Sequence, residues 1–94
     1  MFIVLLKYIK PIAEIDAKMK AHMAYMRAGY RDKIFITSGR QIPRTGGVIL
    51  ARSPSKEELV ERINQDPFVV SGLATYDIIE FKNSQYDPSF KEFT

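Results

Sequence analysis

Hydrophobic residues along the chain fall into segments with two different periods, which together predict a βαββαβ order of elements. Short runs rich in β-branched and aromatic residues predict four strands. These strands cover residues 2–9, 34–38, 47–52 and 74–81. From 12 to 30 the apolar residues instead recur every three or four positions, which predicts an amphipathic helix with Gly29 near its end.

Two further helical segments are predicted between the third and fourth strands. Ser53 followed by proline, or Ser55 with Glu58 three residues later, predicts the N-cap of the first one. That helix ends at Asp66, because a residue that precedes proline disfavours helical backbone. Asp66 is in turn predicted to cap a short helix that ends before Gly72.

This order of elements is that of the split βαβ motif and predicts an α+β, ferredoxin-like fold. Two crossover helices then cover one face of a four-stranded antiparallel sheet. The first and third strands are apolar on both faces, at 2–6 and 48–51, so the other face also needs a cover. A second copy of the sheet would supply it and form a homodimer, a dimeric α/β barrel. The alternative cover is the tail, 83–94, which follows a single domain at 1–82 and could dock on the body or on a partner subunit.

Length, composition and charge narrow the class of protein. A chain of 94 residues without cysteine has room for one domain and excludes disulfides and thiolate metal sites. Its first apolar run is too short to span a bilayer, so we expect a cytoplasmic protein with no membrane partner. Residues 1–52 carry ten Lys and Arg against three Asp and Glu, and 53–94 carry four against eight. This asymmetry indicates either an anion-facing side or two solvated faces that meet in a dimer.

The single histidine, His22, lies on the apolar stripe of the first helix with Met19 and Met26. An imidazole there could transfer a proton in a pocket, or it could be a buried neutral ring that bonds a backbone carbonyl. Asp66 could serve as a helix cap and nothing more. Alternatively, it could also point at His22 and fix the orientation and tautomer of the ring. The spacing leaves both alternatives open.

The segment that joins the second and third strands concentrates arginine, glycine and hydroxyl groups. Its guanidinium and backbone N–H groups could bind the carboxylate or phosphate of a small anionic metabolite. Its glycines and charges could equally belong to a flexible, soluble hairpin loop. The candidate ligand-binding residues are Ser38, Gly39, Arg40, Arg44, Gly46 and Gly47.

Other kinds of site have little support in the sequence. One histidine and no cysteine argue against a metal site, and no phosphate-binding glycine loop, nucleotide motif or serine elbow occurs, so we expect no cofactor. RNA-recognition modules share the βαββαβ order but stack bases on aromatic residues of the first and third strands. The third strand here has none at 47–50, so nucleic acid is not an expected partner.

Several short motifs in one order resemble the YciI-like (YCII-related) family over residues 1 to about 82. They are His22, the segments 35–39 and 43–47, and Asp66-Pro67-Phe68 followed by Gly72. The resemblance implies a ferredoxin-like dimeric barrel and a His–Asp pair, here His22 and Asp66, in a pocket between sheet and helices. One branch of the family is similar to an enzyme that eliminates chloride from hydroxylated aromatics. Many members have Gly-Pro where this chain has Gly39-Arg40, which adds positive charge at that corner.

Together these observations predict a cofactor-independent lyase or isomerase that acts on a small molecule. His22 would move a proton, Asp66 would hold the ring, and Arg40 or Arg44 would bind an anionic substrate. The alternative is a non-catalytic protein that binds a small ligand or acts as an accessory factor.

Overall fold

The computed structural model describes all 94 residues and has the predicted order of strands and helices. The elements are β1 (Phe2–Tyr8), α1 (Ile12–Ala17), α2 (Met19–Arg31), β2 (Phe35–Arg40), β3 (Gly46–Ala51), α3 (Lys56–Ile63), α4 (Pro67–Val70), β4 (Ala74–Glu80) and a C-terminal 3₁₀-helix (Pro88–Phe93). All neighbouring strands are antiparallel, in the order β2-β3-β1-β4. Each helical connection therefore skips one strand, and the predicted α+β ferredoxin-like fold is confirmed.

The core lies between the sheet and the helices. Every second residue of β1, namely Phe2, Val4 and Leu6, is buried on this inner face. The helices contribute a matching set of buried apolar side chains. These are Ile15, Met26, Leu59, Ile63 and Phe68. Full burial of a side chain of this size stabilises a fold by about 1.5–3 kcal/mol, so this layer holds the helices on the sheet.

The single helix predicted over 12–30 is divided into α1 and α2 at Lys18. The Lys18 N–H bonds the carbonyl of Ile15 at 3.1 Å, one residue closer than in an α-helix. This tighter turn is 3₁₀-like, and α-helical bonding resumes when the N–H of His22 bonds the Lys18 carbonyl at 3.0 Å. The prediction of one continuous helix was therefore wrong by one local turn.

Gly29 does not end α2, which continues to Arg31. It is buried because its backbone packs on Phe35, and a side chain at Gly29 would overlap that ring. The helix ends instead in a Schellman motif at Lys33, whose φ is +60°. The N–H of Ile34 there bonds the Gly29 carbonyl at 3.0 Å.

The helix α4 ends in the same motif with the residue that the motif favours. Gly72 has a φ of +70°, and the N–H of Leu73 bonds the Phe68 carbonyl at 2.8 Å. Glycine adopts this left-handed backbone without the steric cost that a Cβ atom brings. Lys33 therefore carries a cost that Gly72 avoids.

The strands β2 and β3 extend further into their connection than predicted. The predicted connection between the strands at 34–38 and 47–52 shrinks to 41–45, because Gly39 pairs with Val48 and Arg40 pairs with Gly47. Glycine-rich sequence has a low intrinsic strand propensity, which pairing with a neighbouring strand overrides here. An irregularity in register between Phe35 and Thr37 also shifts the pairing. These features place Ser38 and Arg40 on the inner face of the sheet.

The caps of α3 and α4 follow the sequence signals. The Ser55 hydroxyl accepts the N–H of Glu58 at 3.2 Å, which selects the second of the two predicted starts. The helix ends at Ile63, three residues before the predicted end at Asp66. The Asp66 carboxylate accepts the N–H of Phe68 at 2.9 Å and caps α4 as predicted.

The outer face of the sheet is apolar along its central strands, as the pattern predicts. It carries Ile3, Leu5, Val48, Leu50 and Ile79. Residues of the tail contact the body at Arg52, whose guanidinium bonds the Glu92 carbonyl at 3.2 Å and lies over the Phe93 ring. Ile79 stays 48% exposed, so the tail leaves part of this face open. None of the helices combines the length and the apolar character that crossing a membrane requires.

The homodimer stays a prediction, and the outer face supplies its test. We expect sedimentation at micromolar protein to give twice the chain mass of 10.8 kDa. Leu5→Glu should shift the protein toward monomer, because it buries an unpaired charge if two sheets meet there. The control Ala24→Glu adds the same charge on the exposed side of α2. A wild-type mass near that of one chain would contradict the dimer.

The two Schellman motifs predict that glycine at position 33 and lysine at position 72 change the stability of the fold in opposite directions. Lys33→Gly should raise the free energy of unfolding by about 1 kcal/mol, because it removes a Cβ atom from left-handed backbone. Gly72→Lys should lower it by a similar amount, since nothing lies within 4 Å of an added Cβ atom there. Denaturant unfolding measures both, and changes of the same sign would contradict this interpretation.

Candidate functional site

The helix α2 and the N-terminus of α4 meet through one polar contact in the helix layer. His22 Nδ1 lies 2.8 Å from Asp66 Oδ1, although the two residues are 44 positions apart in the sequence. His22 is about one-eighth exposed and Asp66 is fully buried. Because a carboxylate can only accept, the Nδ1 proton is assigned to His22 and donates to Asp66.

One oxygen of the Asp66 carboxylate accepts two hydrogen bonds. Its Oδ1 accepts both from His22 Nδ1 and from the N–H of Phe68, at 2.8 and 2.9 Å. Its Oδ2 is buried with no hydrogen-bond partner. A serine or asparagine would cap α4 about as well without burying a charge. The cap alone therefore does not account for a carboxylate at this position, whereas the imidazole donor does.

Phe68 fixes the plane of the imidazole. The two rings stack with their centroids 4.0 Å apart and only 8° between their planes. Since Asp66 holds Nδ1 and Phe68 holds the ring face, the direction of Nε2 is set by the fold. Nε2 makes no hydrogen bond within the chain, and His22 lines the adjacent cavity.

This cavity, of about 220 Å³, lies between α2 and the inner face of β1, β2 and β3. Its buried lining residues are all apolar. They are Leu6, Met26, Ile49 and Phe68, and we call them the floor. The exposed lining residues include both of its arginines. They are Met23, Arg27, Tyr30, Ser38, Gly39 and Arg40, and we call them the mouth. His22 lies between floor and mouth in exposure.

Four of the six predicted ligand-binding residues line this cavity with His22. They are Ser38, Gly39, Arg40 and Gly47. Their strands hold them in place, so they are not part of a flexible loop. Asp66 does not line the cavity and lies behind the imidazole.

Arg44 and Gly46 are not among the residues that line the cavity. Arg44 donates to Asp16 Oδ1 at 2.6 Å, and this bond raises the pKa of its guanidinium. Gly46 is buried against β1, where a side chain would overlap the Leu6 carbonyl. Its role is therefore close packing of β3 on β1.

Ten of the fifteen lining residues were not among the sequence candidates, and three of these bear on the chemistry of the site. Tyr30 follows His22 by eight residues, on the same helical stripe, and its hydroxyl bonds the Ser38 hydroxyl at the mouth. Arg27 follows Met23 by four residues, a spacing that places it beside the apolar stripe. Phe68 follows Asp66 by two residues, but no local signal indicates that its ring meets an imidazole.

The side chain of Tyr25 is affected by the negative charge of Asp66, which lies behind the imidazole. Its hydroxyl donates to the Arg62 carbonyl at 2.6 Å. Burial raises the pKa of the Tyr25 hydroxyl well above its ordinary value, and the nearby charge of Asp66 raises it further. Both effects oppose a second negative charge in the helix layer.

Metal ligation has no set of residues to support it. No group of three or more His, Asp or Glu side chains is close enough together to hold a metal ion. What the site does offer is a buried carboxylate, an oriented imidazole and a small, mostly apolar cavity.

The family model for the YCII-related domain matches residues 1–82. The chain belongs to the YCII-related family. The match includes the His22–Asp66 contact, all the strands and all the residues that line the cavity. No curated protein matches the chain in sequence.

Among solved structures, the chain is similar to 5-chloro-2-hydroxyhydroquinone dehydrochlorinase from Burkholderia phenoliruptrix. That structure is a complex with 2,5-dihydroxybenzoquinone. The TM-score is 0.69 at 20% sequence identity, over 87% of this chain and 94% of the other. At this identity the likeness shows the shared fold.

The raised pKa of Tyr25 predicts how stability depends on alkaline pH. Above the ordinary tyrosine value of about 10, the unfolded chain releases a proton that the native chain keeps, so the free energy of unfolding falls as pH rises. Tyr25→Phe removes this contribution and should flatten the fall. Denaturant unfolding from about pH 9 to about pH 11 measures it. The control is Tyr86→Phe in the exposed tail, and an equal fall in Tyr25→Phe and wild type would contradict the prediction.

Proposed function

We propose that the protein catalyses proton transfer on a small molecule, with His22 as general base and acid and Asp66 as its positioning residue. The observation that carries this proposal is the 2.8 Å contact of Nδ1 with a fully buried carboxylate. That contact leaves Nε2 as the ring nitrogen without a partner in the chain, and His22 lines the cavity. No cofactor is required, because imidazole by itself can accept and return a proton.

The Asp66 carboxylate, as the hydrogen-bond acceptor of Nδ1, determines the tautomer of the His22 ring. With the Nδ1 proton donated to Asp66, Nε2 of the neutral ring carries a lone pair and can accept a proton. When Nε2 takes up a proton, the ring becomes a cation beside the Asp66 carboxylate, whose charge stabilises it. Phe68 keeps the ring in one plane in both states.

An elimination or an isomerisation fits this pair of groups. His22 Nε2 would take a proton from a carbon of the substrate, and the electrons of that C–H bond would form a new double bond. In an elimination, a leaving group departs from the adjacent carbon with its bonding pair. In an isomerisation, the double bond shifts and Nε2 returns the proton to a different carbon. Both reactions balance without an oxidant or a reductant.

The dimensions of the site and the solved relative support a small substrate. A dry cavity of about 150 Å³ can hold benzene, so 220 Å³ suits a compound with about one ring. The similar dehydrochlorinase is named for an elimination and is seen with a single-ring quinone. That relative supports the reaction class by analogy of fold, and the oriented imidazole supports it independently.

Exchange of carbon-bound hydrogen in deuterated water tests the role of His22. Wild-type protein should exchange an activated C–H of at least one compound in a panel of single-ring hydroxylated and carbonyl compounds. His22→Gln should lower that rate by about a hundredfold or more, the usual range for loss of a general base. Arg31→Gln, on the same helix but away from the cavity, is the control. Equal exchange rates in His22→Gln and wild type would exclude His22 as the base.

Asp66→Asn tests the positioning role with a readout besides activity. Asparagine still caps α4, so the fold should be retained. Its Oδ1 can accept from both donors as the carboxylate oxygen does, so the Nδ1 tautomer should be retained. The negative charge that stabilises the protonated ring is lost, so proton exchange should slow by about tenfold or more. Because His22 is the only histidine, nitrogen NMR of the imidazole reads the tautomer directly. An unchanged tautomer together with an unchanged exchange rate would contradict the role of Asp66.

A further inference from the structure

We infer that the site takes a compact carboxylate, held at the mouth by Arg27 and Arg40 together. This inference rests on the proposed function and adds the class of substrate and its orientation. The carboxylate would lie at the mouth, and the apolar body of about one ring would lie on the floor beside His22. The atom that loses a proton would then be separated from the carboxylate by the length of that body.

The charges around the cavity are of one sign. Its fifteen lining residues include two arginines and the imidazole of His22, but no aspartate or glutamate. Two arginines outside the cavity, Arg44 and Arg62, each form an ion pair with a carboxylate of this chain, at 2.6 and 2.7 Å. Arg27 and Arg40 form no such pair. Two unpaired guanidinium groups at the opening of an apolar cavity favour an anionic ligand.

The local sequence keeps both arginines free. On α2, the positions three and four residues from Arg27 are Met23, Ala24, Tyr30 and Arg31, none of which is acidic. On β2, Arg40 pairs with Gly47, which offers no side chain to bind. Neither guanidinium therefore has an acidic neighbour within its own element, and both are exposed.

The recognising groups around the cavity suit a carboxylate better than a phosphate. Phosphate sites use backbone N–H groups of helix N-termini and glycine-rich turns. Here β1 and β3 are each paired along both edges, and Asp66 already accepts the N–H groups of Phe68, Val69 and Val70 at the start of α4. The planar fork of arginine matches a carboxylate with two parallel bonds.

Floor and mouth differ in polarity, which fixes the orientation of the ligand. All four floor residues are buried and apolar, so an anionic group placed there would lose its hydration without gaining a partner. At the mouth the same group meets Arg27 and Arg40.

Benzoate is the probe that tests this inference, because it has one ring and one carboxylate. Titration at millimolar concentration, followed by NMR of the His22 imidazole and the backbone amides, should show binding at the cavity. Arg27→Gln and Arg40→Gln should each weaken binding by about tenfold, and the double variant by about a hundredfold. Arg31→Gln, which removes the same charge one turn further along α2, should leave binding unchanged. Benzamide, the neutral analogue, should bind at least about tenfold more weakly than benzoate.

The inference would be overturned by equal binding of benzamide and benzoate, by an equal loss of affinity in Arg31→Gln and Arg27→Gln, or by NMR shifts confined to amides outside the cavity. Tighter binding of phenyl phosphate than of benzoate would also overturn it, in favour of a phosphate ester. His22→Gln separates this inference from the proposed function, since it should abolish proton exchange but leave benzoate binding within about threefold. Retained binding with no exchange in the wild type would overturn only the proposed function.

Discussion

The buried carboxylate of Asp66 is the constraint on which the arrangement of the helix layer depends. A charged group removed from water needs donors, and this one obtains them from two elements that are far apart in sequence. One donor is the backbone of α4, which the carboxylate caps. The other is the imidazole of α2, so the same oxygen that begins one helix orients the side chain of another. Asp66 Oδ1 therefore contributes both to the fold and to the candidate site.

Consequences of that charge extend beyond the pair. Tyr25 lies on the same helix as His22 and donates to a backbone carbonyl of α3, while burial and Asp66 together raise the pKa of its hydroxyl. The buried interior of the helix layer thus holds one negative charge and opposes a second. The mouth of the cavity holds the opposite sign, in Arg27 and Arg40. The proposed anion would therefore lie on the exposed side of the cavity, which His22, the proposed proton acceptor, also lines.

The sheet determines the other wall of the cavity through strand pairing. The glycines on β2 and β3 look like loop residues by composition, yet pairing places them in strands. Gly46 allows β3 to approach β1, and Gly47 leaves room beside Arg40. The irregularity near the start of β2 turns Ser38 and Arg40 toward the helices. Positions held by a paired strand are more rigid than positions in a loop, which suits a site that must orient a small ligand.

The sequence by itself determined the order of elements, the ferredoxin-like fold, the cap at Asp66 and the family, because periodicity, capping signals and short motifs are local properties of the chain. It also indicated His22 as the side chain on which any chemistry would centre. From the sequence, Arg40 and Arg44 were predicted to act in one site, because they are close together in the chain. In the structure, Arg44 forms an ion pair with Asp16, whereas Arg40 lines the cavity. The sequence could not decide whether Asp66 meets His22, nor that Phe68 stacks on the imidazole and Arg27 lies at the mouth. Those contacts join residues from different elements, so only the packing of helices on the sheet decides them.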